Sequence, residues 1–133
     1  MRTWPEAYRR FVELFNEGRY FESHEVLEDL WRARGHDPFY QALIIVAAAH
    51  VHAGRGNPRG FRRHLQQALR LLAPYPDRFR GLDVGALRGW IQETLERQAA
   101  VPDALPGLGL APLPPLELAP PTGEAEAEEE GSG

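Results

Sequence analysis

Two dipeptides constrain this chain more than anything else in it. Asp37-Pro38 and Asn57-Pro58 each set a side chain able to cap a helix directly before a proline suited to the first helical turn. Gly18, Gly35, Gly54 and Gly56 follow stretches of helical periodicity and mark C-termini. Together these signals cut residues 1–101 into five helical segments. The first opens near Pro5, carries Tyr8, Phe11, Val12 and Phe15 on one stripe, and stops at Gly18. The second runs from Tyr20 to Arg34 and the third from Pro38 to about Ala53. The fourth runs from Pro58 to the residues before Pro74, with Phe61, Leu65, Ala68, Leu69 and Leu72 on one side. The fifth runs from Asp83 to about Ala100, with Val84, Leu87, Ile91 and Leu95 as its apolar face. No run alternates with period two and the connections are short, so the expected fold class is all-α, an antiparallel bundle of about five helices. The third segment is apolar nearly all round and is expected to be the helix its neighbours cover.

Composition changes at residue 102. The last 32 residues hold seven prolines and five glycines and end in the run Glu124-Ala125-Glu126-Ala127-Glu128-Glu129-Glu130. The expected organisation is a helical domain over 1–101 and a Pro-rich, acidic tail over 102–133, mostly disordered, although Leu113, Leu116 and Leu118 could lie extended on the helices. Charge divides at the same place, because all 15 basic residues are arginines of the body and seven of the 19 acidic residues belong to the tail. The body is thus +3 and the tail −7. With no cysteine, disulfides, thiolate nucleophiles and Cys-ligated zinc are excluded. The start shows no secretory signal, and the longest apolar run, Ala42 to Ala49, is far below the about 20 residues of a membrane span. The expectation is a cytoplasmic protein with no membrane partner.

The second segment carries the chemistry. Its periodicity sets His24 within the stripe of Tyr20, Leu27 and Trp31, with Glu28 and Glu25 on the margin. A histidine and a carboxylate one turn apart on a core-facing side must be hydrogen-bonded, paired or metal-bound, since an unpaired buried charge costs several kcal/mol. On the third segment Gln41 and His52 share one stripe, and His50 points the opposite way. If that stripe meets the His24 face, His24, Glu28 and His52 converge as a ligand set for zinc, iron or manganese, with Glu25 as general base. The competing reading is a structural cluster in which His24 and Glu28 bond each other, completed by Gln41 or His52. His50 and His64 read as half-exposed helix residues. Spacing rules out other motifs. Glu28 stands where a zincin needs its second histidine, Phe21 where a di-iron bundle needs glutamate, and no phosphate loop, dinucleotide fingerprint or nucleophile elbow occurs.

Arg55, Arg59, Arg62 and Arg63 gather at the start of the fourth segment, where a helix N-terminus favours anions. The small positive charge of the body and the lack of a recognition or stacking motif make nucleic acid an unexpected partner.

The run Phe15-Asn16-Glu17-Gly18-Arg19-Tyr20-Phe21-Glu22-Ser23-His24-Glu25-Val26-Leu27-Glu28-Asp29-Leu30-Trp31 resembles the signature of domain-of-unknown-function family 309, small all-α proteins of bacteria and archaea. The resemblance continues through Tyr40-Gln41-Ala42-Leu43-Ile44, His52 and Arg55-Gly56-Asn57-Pro58-Arg59-Gly60 to Pro76 and Gly81-Leu82-Asp83. It implies a helical bundle and matches the family pattern at His24, Glu25, Glu28, Trp31, Gln41, His52, Gly56 and Asn57. It departs at Ile45 and Val51, where a polar residue and a histidine are common. The resemblance supplies no reaction. Three readings follow. The first is a His/Glu/Gln cluster, with Trp31 and Asn57 nearby, that is structural or binds a small ligand. The second is a metal-dependent hydrolase-like enzyme. The third is a module that forms a homo-oligomer or binds a partner through aromatics such as Trp4 or Trp90.

Overall fold

The computed structural model describes residues 2–121 and 128–129. Five helices account for most of it: α1 (Glu6–Asn16), α2 (Tyr20–Ala33), α3 (Pro38–Gly54), α4 (Pro58–Leu72) and α5 (Val84–Ala100). Each packs on the next. The boundaries fall where local chemistry sets them. Asp37 accepts from the Phe39 and Tyr40 N–H groups at 2.9 and 3.3 Å, and Asn57 and Asp83 cap α4 and α5 through the Gly60 and Ala86 N–H groups. Helices α1, α2 and α3 end in the same Schellman closure, with Gly18, Gly35 and Gly56 at positive φ. In each, the residue after the glycine donates back across the last turn: Arg19 to Leu14, His36 to Trp31 and Asn57 to His52.

Helix α3 is buried along Phe39, Tyr40, Ala42 to Ala47, Ala49 and His50, in line with its apolar circumference. It lies between α2 and α4. Between α4 and α5, the two-residue strands β1 (Arg78–Phe79) and β2 (Leu82–Asp83) pair antiparallel around Arg80-Gly81, both at positive φ as a type I′ turn requires. Arg80 is held there by Asp37 at 2.8 Å and by the Tyr40, Phe39 and Phe79 rings. Burial pushes the Asp37 carboxyl upward, but the bond and charge of Arg80 and the two capping N–H groups outweigh it and leave it below its ordinary range.

The tail departs from expectation as far as residue 121. Ala104, Leu105 and Leu110 are buried, and Gln98, itself fully buried, donates to the Pro58 and Ala104 carbonyls, tying α5 to α4 and to the tail. One short pairing, β3 (Leu105–Pro106) with β4 (Gly109–Leu110), turns the chain. Leu113, Leu116 and Leu118 then pack along the body as an extended strap. Asn16 brackets Leu116, donating to its carbonyl and accepting its N–H, both at 2.8 Å. Ala119 donates to the Gly81 carbonyl and accepts the Trp4 indole N–H. The acidic stretch lies outside the described residues except for Glu128–Glu129, whose backbone pairs with Arg2–Thr3. Trp4 is therefore a buried strap anchor, and Trp90 is half-buried against His50; neither is the exposed aromatic the interaction-module reading required.

The strap's anchors are polar bonds near solvent. Asn16→Ala should cost about 1 kcal/mol. It should speed hydrogen exchange at the Leu116 and Ala119 amides while leaving the α3 amides unchanged.

Candidate functional site

The Schellman closure of α3 builds the site's polar corner. Asn57 follows the closing glycine, so its N–H returns to the His52 carbonyl at 2.9 Å, while its side chain caps α4. The same side chain meets His52 Nδ1 at 3.0 Å. Gly60 N–H donates to Asn57 Oδ1, which leaves the carboxamide nitrogen facing the ring. That nitrogen can only donate, so His52 Nδ1 is an acceptor and the proton of the neutral ring sits on Nε2. Residue 60 has to be glycine for this contact, since a Cβ there would lie 2.5 Å from Asn57 Nδ2 and 2.7 Å from His52 Nδ1. His64 packs beside His52 at 4.6 Å between ring centroids and donates Nδ1–H to the Gly60 carbonyl. Burial first, then the charges of His64, Arg55 and Arg63, hold the His52 pKa below its ordinary range.

On α2, His24 Nε2 donates to Glu28 Oε1 at 2.9 Å, and Arg32 binds the other carboxylate oxygen at 2.9 Å. Both partners of the His24 pair are about a quarter exposed, at 26% and 28%. Glu28 is thus satisfied by its own helix one turn either way. His24 Nδ1 is enclosed with no hydrogen-bond partner, and Phe21 lies over the ring at 5.9 Å.

His24 and His52 line one cleft. The start of α2 meets the end of α3, and Phe21, His24, Ala48, Val51, His52 and Arg55 enclose about 170 Å³ there. The remaining expected members lie elsewhere. Gln41 is three turns back along α3, about 16 Å of helical rise from His52. Glu25 is exposed, and Trp31 is half-buried edge-on to His36 with its indole N–H enclosed and unpartnered. Neither they nor Glu28 line the cleft.

Of the expected ligand set, His24 and His52 share the cleft and Glu28 lies outside its lining, and among the described residues no three His, Asp or Glu side chains are grouped to hold a metal ion. The reason is local. Glu28 is turned along α2 toward His24 and Arg32, and His52 Nδ1 is engaged by an amide donor.

His50 corrects another expectation. It is 6% exposed, stacked on Tyr20 at 4.6 Å and on Trp90 at 5.7 Å, with Phe15 and Phe61 edge-on to it. Its Nδ1–H donates to the Val46 carbonyl, and Nε2 is enclosed without a partner. On a helix apolar all round, the side opposite His52 is also interior, which was the signal available for this residue.

An all-helical domain with an imidazole-lined cleft at one helix corner is the class these features define. Residues 8–64 match the family described as Domain of unknown function (DUF309), the family that the signature run resembles. The match covers the whole cleft and its Asn57–Gly60 corner. An uncharacterised protein of Aquifex aeolicus (strain VF5) is 33% identical over 84 residues, 61% of this chain and 25% of that relative. The uncharacterised protein YpuF of Bacillus subtilis (strain 168) is 31% identical over 103 residues, 71% of this chain and 58% of the relative. The matched stretch therefore spans a quarter of one curated relative and a little over half of the other. Among the described residues no helix is long and apolar enough to cross a membrane.

Burial is the main cause of a depressed His50 pKa, and the Val46 carbonyl opposes it only in part. The folded protein then binds fewer protons than the unfolded chain. Stability from this residue is complete above about pH 6.5 and declines as pH falls below it. Thermal melts between about pH 7 and pH 5 should show the Tm of the wild-type chain falling more steeply than that of His50→Phe, which keeps the stack and removes the titration.

Proposed function

We propose that this chain is a helical ligand-binding domain whose site is the cleft between the start of α2 and the end of α3. The observation that carries this reading is that His24 and His52, on different helices, line one cavity, each with one ring nitrogen already bonded by a neighbour. A small cleft that adds the apolar lining of Phe21, Ala48 and Val51 to its polar side chains suits a small molecule. Sequential packing of helices through short connections supports an antiparallel bundle as its scaffold. His24 serves as one wall, and its bond to Glu28 fixes the ring on α2, contributing a few tenths of a kcal/mol as an i, i+4 pair.

A second reading, association of two copies, is favoured by Phe21, which is 52% exposed at the lip of the cleft.

The test is a fragment screen by NMR on the full chain. Fragments that bind should shift the His24 and His52 imidazole signals. Val51→Trp, which fills the cleft from a half-exposed position, should abolish binding while leaving the helical circular dichroism intact. Hits that persist in Val51→Trp would place the ligand elsewhere and end this reading.

A further inference from the structure

We infer that the ligand of this cleft carries an anionic group, a carboxylate or a phosphate, held by the Arg55 guanidinium and the Nε2–H of His52. This inference rests on the preceding reading of the cleft as a ligand site and names the chemistry of its occupant.

The first support is the lining itself. It contains two imidazoles and a guanidinium and no carboxylate, in a chain whose net charge is −4. Of the acidic side chains close in sequence, Glu28 is bonded by His24 and Arg32, Glu22 is paired with Arg19, and Glu25 is exposed outside the lining. Arg55 is therefore the charged group that faces the cleft, and a guanidinium fork matches carboxylate and phosphate oxygens in pairs.

The second support is the fixed tautomer of His52. The relay from Gly60 N–H through the Asn57 carboxamide sends a donor to Nδ1, so the neutral ring always offers Nε2–H and never a lone pair on that side. A fixed hydrogen-bond donor in a lining that also holds an arginine is an acceptor-binding arrangement. The surrounding positive charge acts in the same sense, because the His64, Arg55 and Arg63 charges that disfavour a protonated His52 would be relieved by a bound anion. His24 is not a second donor to such an anion, since its Nε2–H is spent on Glu28 and its Nδ1 is enclosed. It closes the wall opposite His52.

The third support is space. About 170 Å³ is well below the volume of drug-sized pockets, and one ring, Phe21, is the only aromatic lining besides the imidazoles. The occupant is a small anion with a short apolar body over Ala48 and Val51. A nucleic-acid strand, which needs a continuous basic track and several stacking rings, does not fit this arrangement.

The test follows the imidazole and guanidinium nitrogens of the full chain by 15N NMR during titration with inorganic phosphate, benzoate and neutral benzamide. The ligand-free spectrum should show His52 protonated at Nε2, and Gly60→Ala should disturb that signal. Saturable shifts at His52 Nε2 and Arg55 with phosphate, with benzoate, or with both support the inference, and which anion binds identifies its source. Arg55→Gln, an exposed change that spares the helices, should weaken that binding at least tenfold. Benzamide binding as tightly as benzoate would overturn the anionic assignment and leave the cleft reading standing. No shift with any of the three would also overturn it, and the fragment screen on Val51→Trp would then decide the cleft reading separately. Shifts that survive Arg55→Gln unchanged would overturn the role of Arg55 and with it the inference.

Discussion

Helix α3 is apolar around most of its circumference, and that constraint organises everything around it. A fully buried aliphatic or aromatic side chain stabilises by about 1.5–3 kcal/mol, and α3 buries such residues on most sides from Phe39 to Ala49. Those sides must be covered. Helices α2 and α4 lie on either side, and α1 and α5 back them in turn. Arg80 closes the N-terminal end by lying on Tyr40 and Phe39 with its charge matched by Asp37. His50 occurs on this helix because the ring behaves there as an aromatic: its Nδ1–H is spent on its own backbone and its faces lie between Tyr20 and Trp90.

What the residues disclosed in advance follows from how far each signal reaches. Caps and Schellman glycines act within six residues, so the starts and ends of the five helices were readable to within about a residue. The His24–Glu28 contact was readable for the same reason, as an i, i+4 neighbour on one helix. Periodicity also placed His24 and His52 on faces able to meet. It could not say that Glu28 would turn along its own helix, because Arg32 competes for the same carboxylate. Nor could an angular reading of α3 separate exposed from buried, since neighbours cover the side of the helix opposite His52. That is where His50 was misread.

The tail shows a different limit. Its proline and glycine content describes a chain that cannot build its own core, and residues 102–121 build none. They borrow one: Ala104, Leu105 and Leu110 are buried with the core of the helices, and the strap leucines pack against it. Composition measures what a segment can bury against itself, whereas order here comes from Asn16, Trp4, Gly81 and Gln98, residues far away in sequence that reach its backbone. Satisfying that backbone with side-chain donors from the helices is what a proline-rich strand, poor in its own N–H groups, requires.

The cleft depends on the fold through a single residue. Asn57 ends one helix and begins the next, and in doing both it brings its carboxamide against His52. The corner geometry and the protonation pattern of the site are therefore one device. If the α3–α4 corner opens, the Gly60 N–H no longer holds the carboxamide oxygen, the amide can rotate, and His52 loses its reason to keep the proton on Nε2. A histidine elsewhere on α3 would have its tautomer set by its own i−4 carbonyl, as His50 does, and would then present a lone pair instead of a donor. Placing the imidazole within the last turn, where the helix has run out of continuing backbone and an Asn-Pro start follows at once, is what makes a donor available at the cleft.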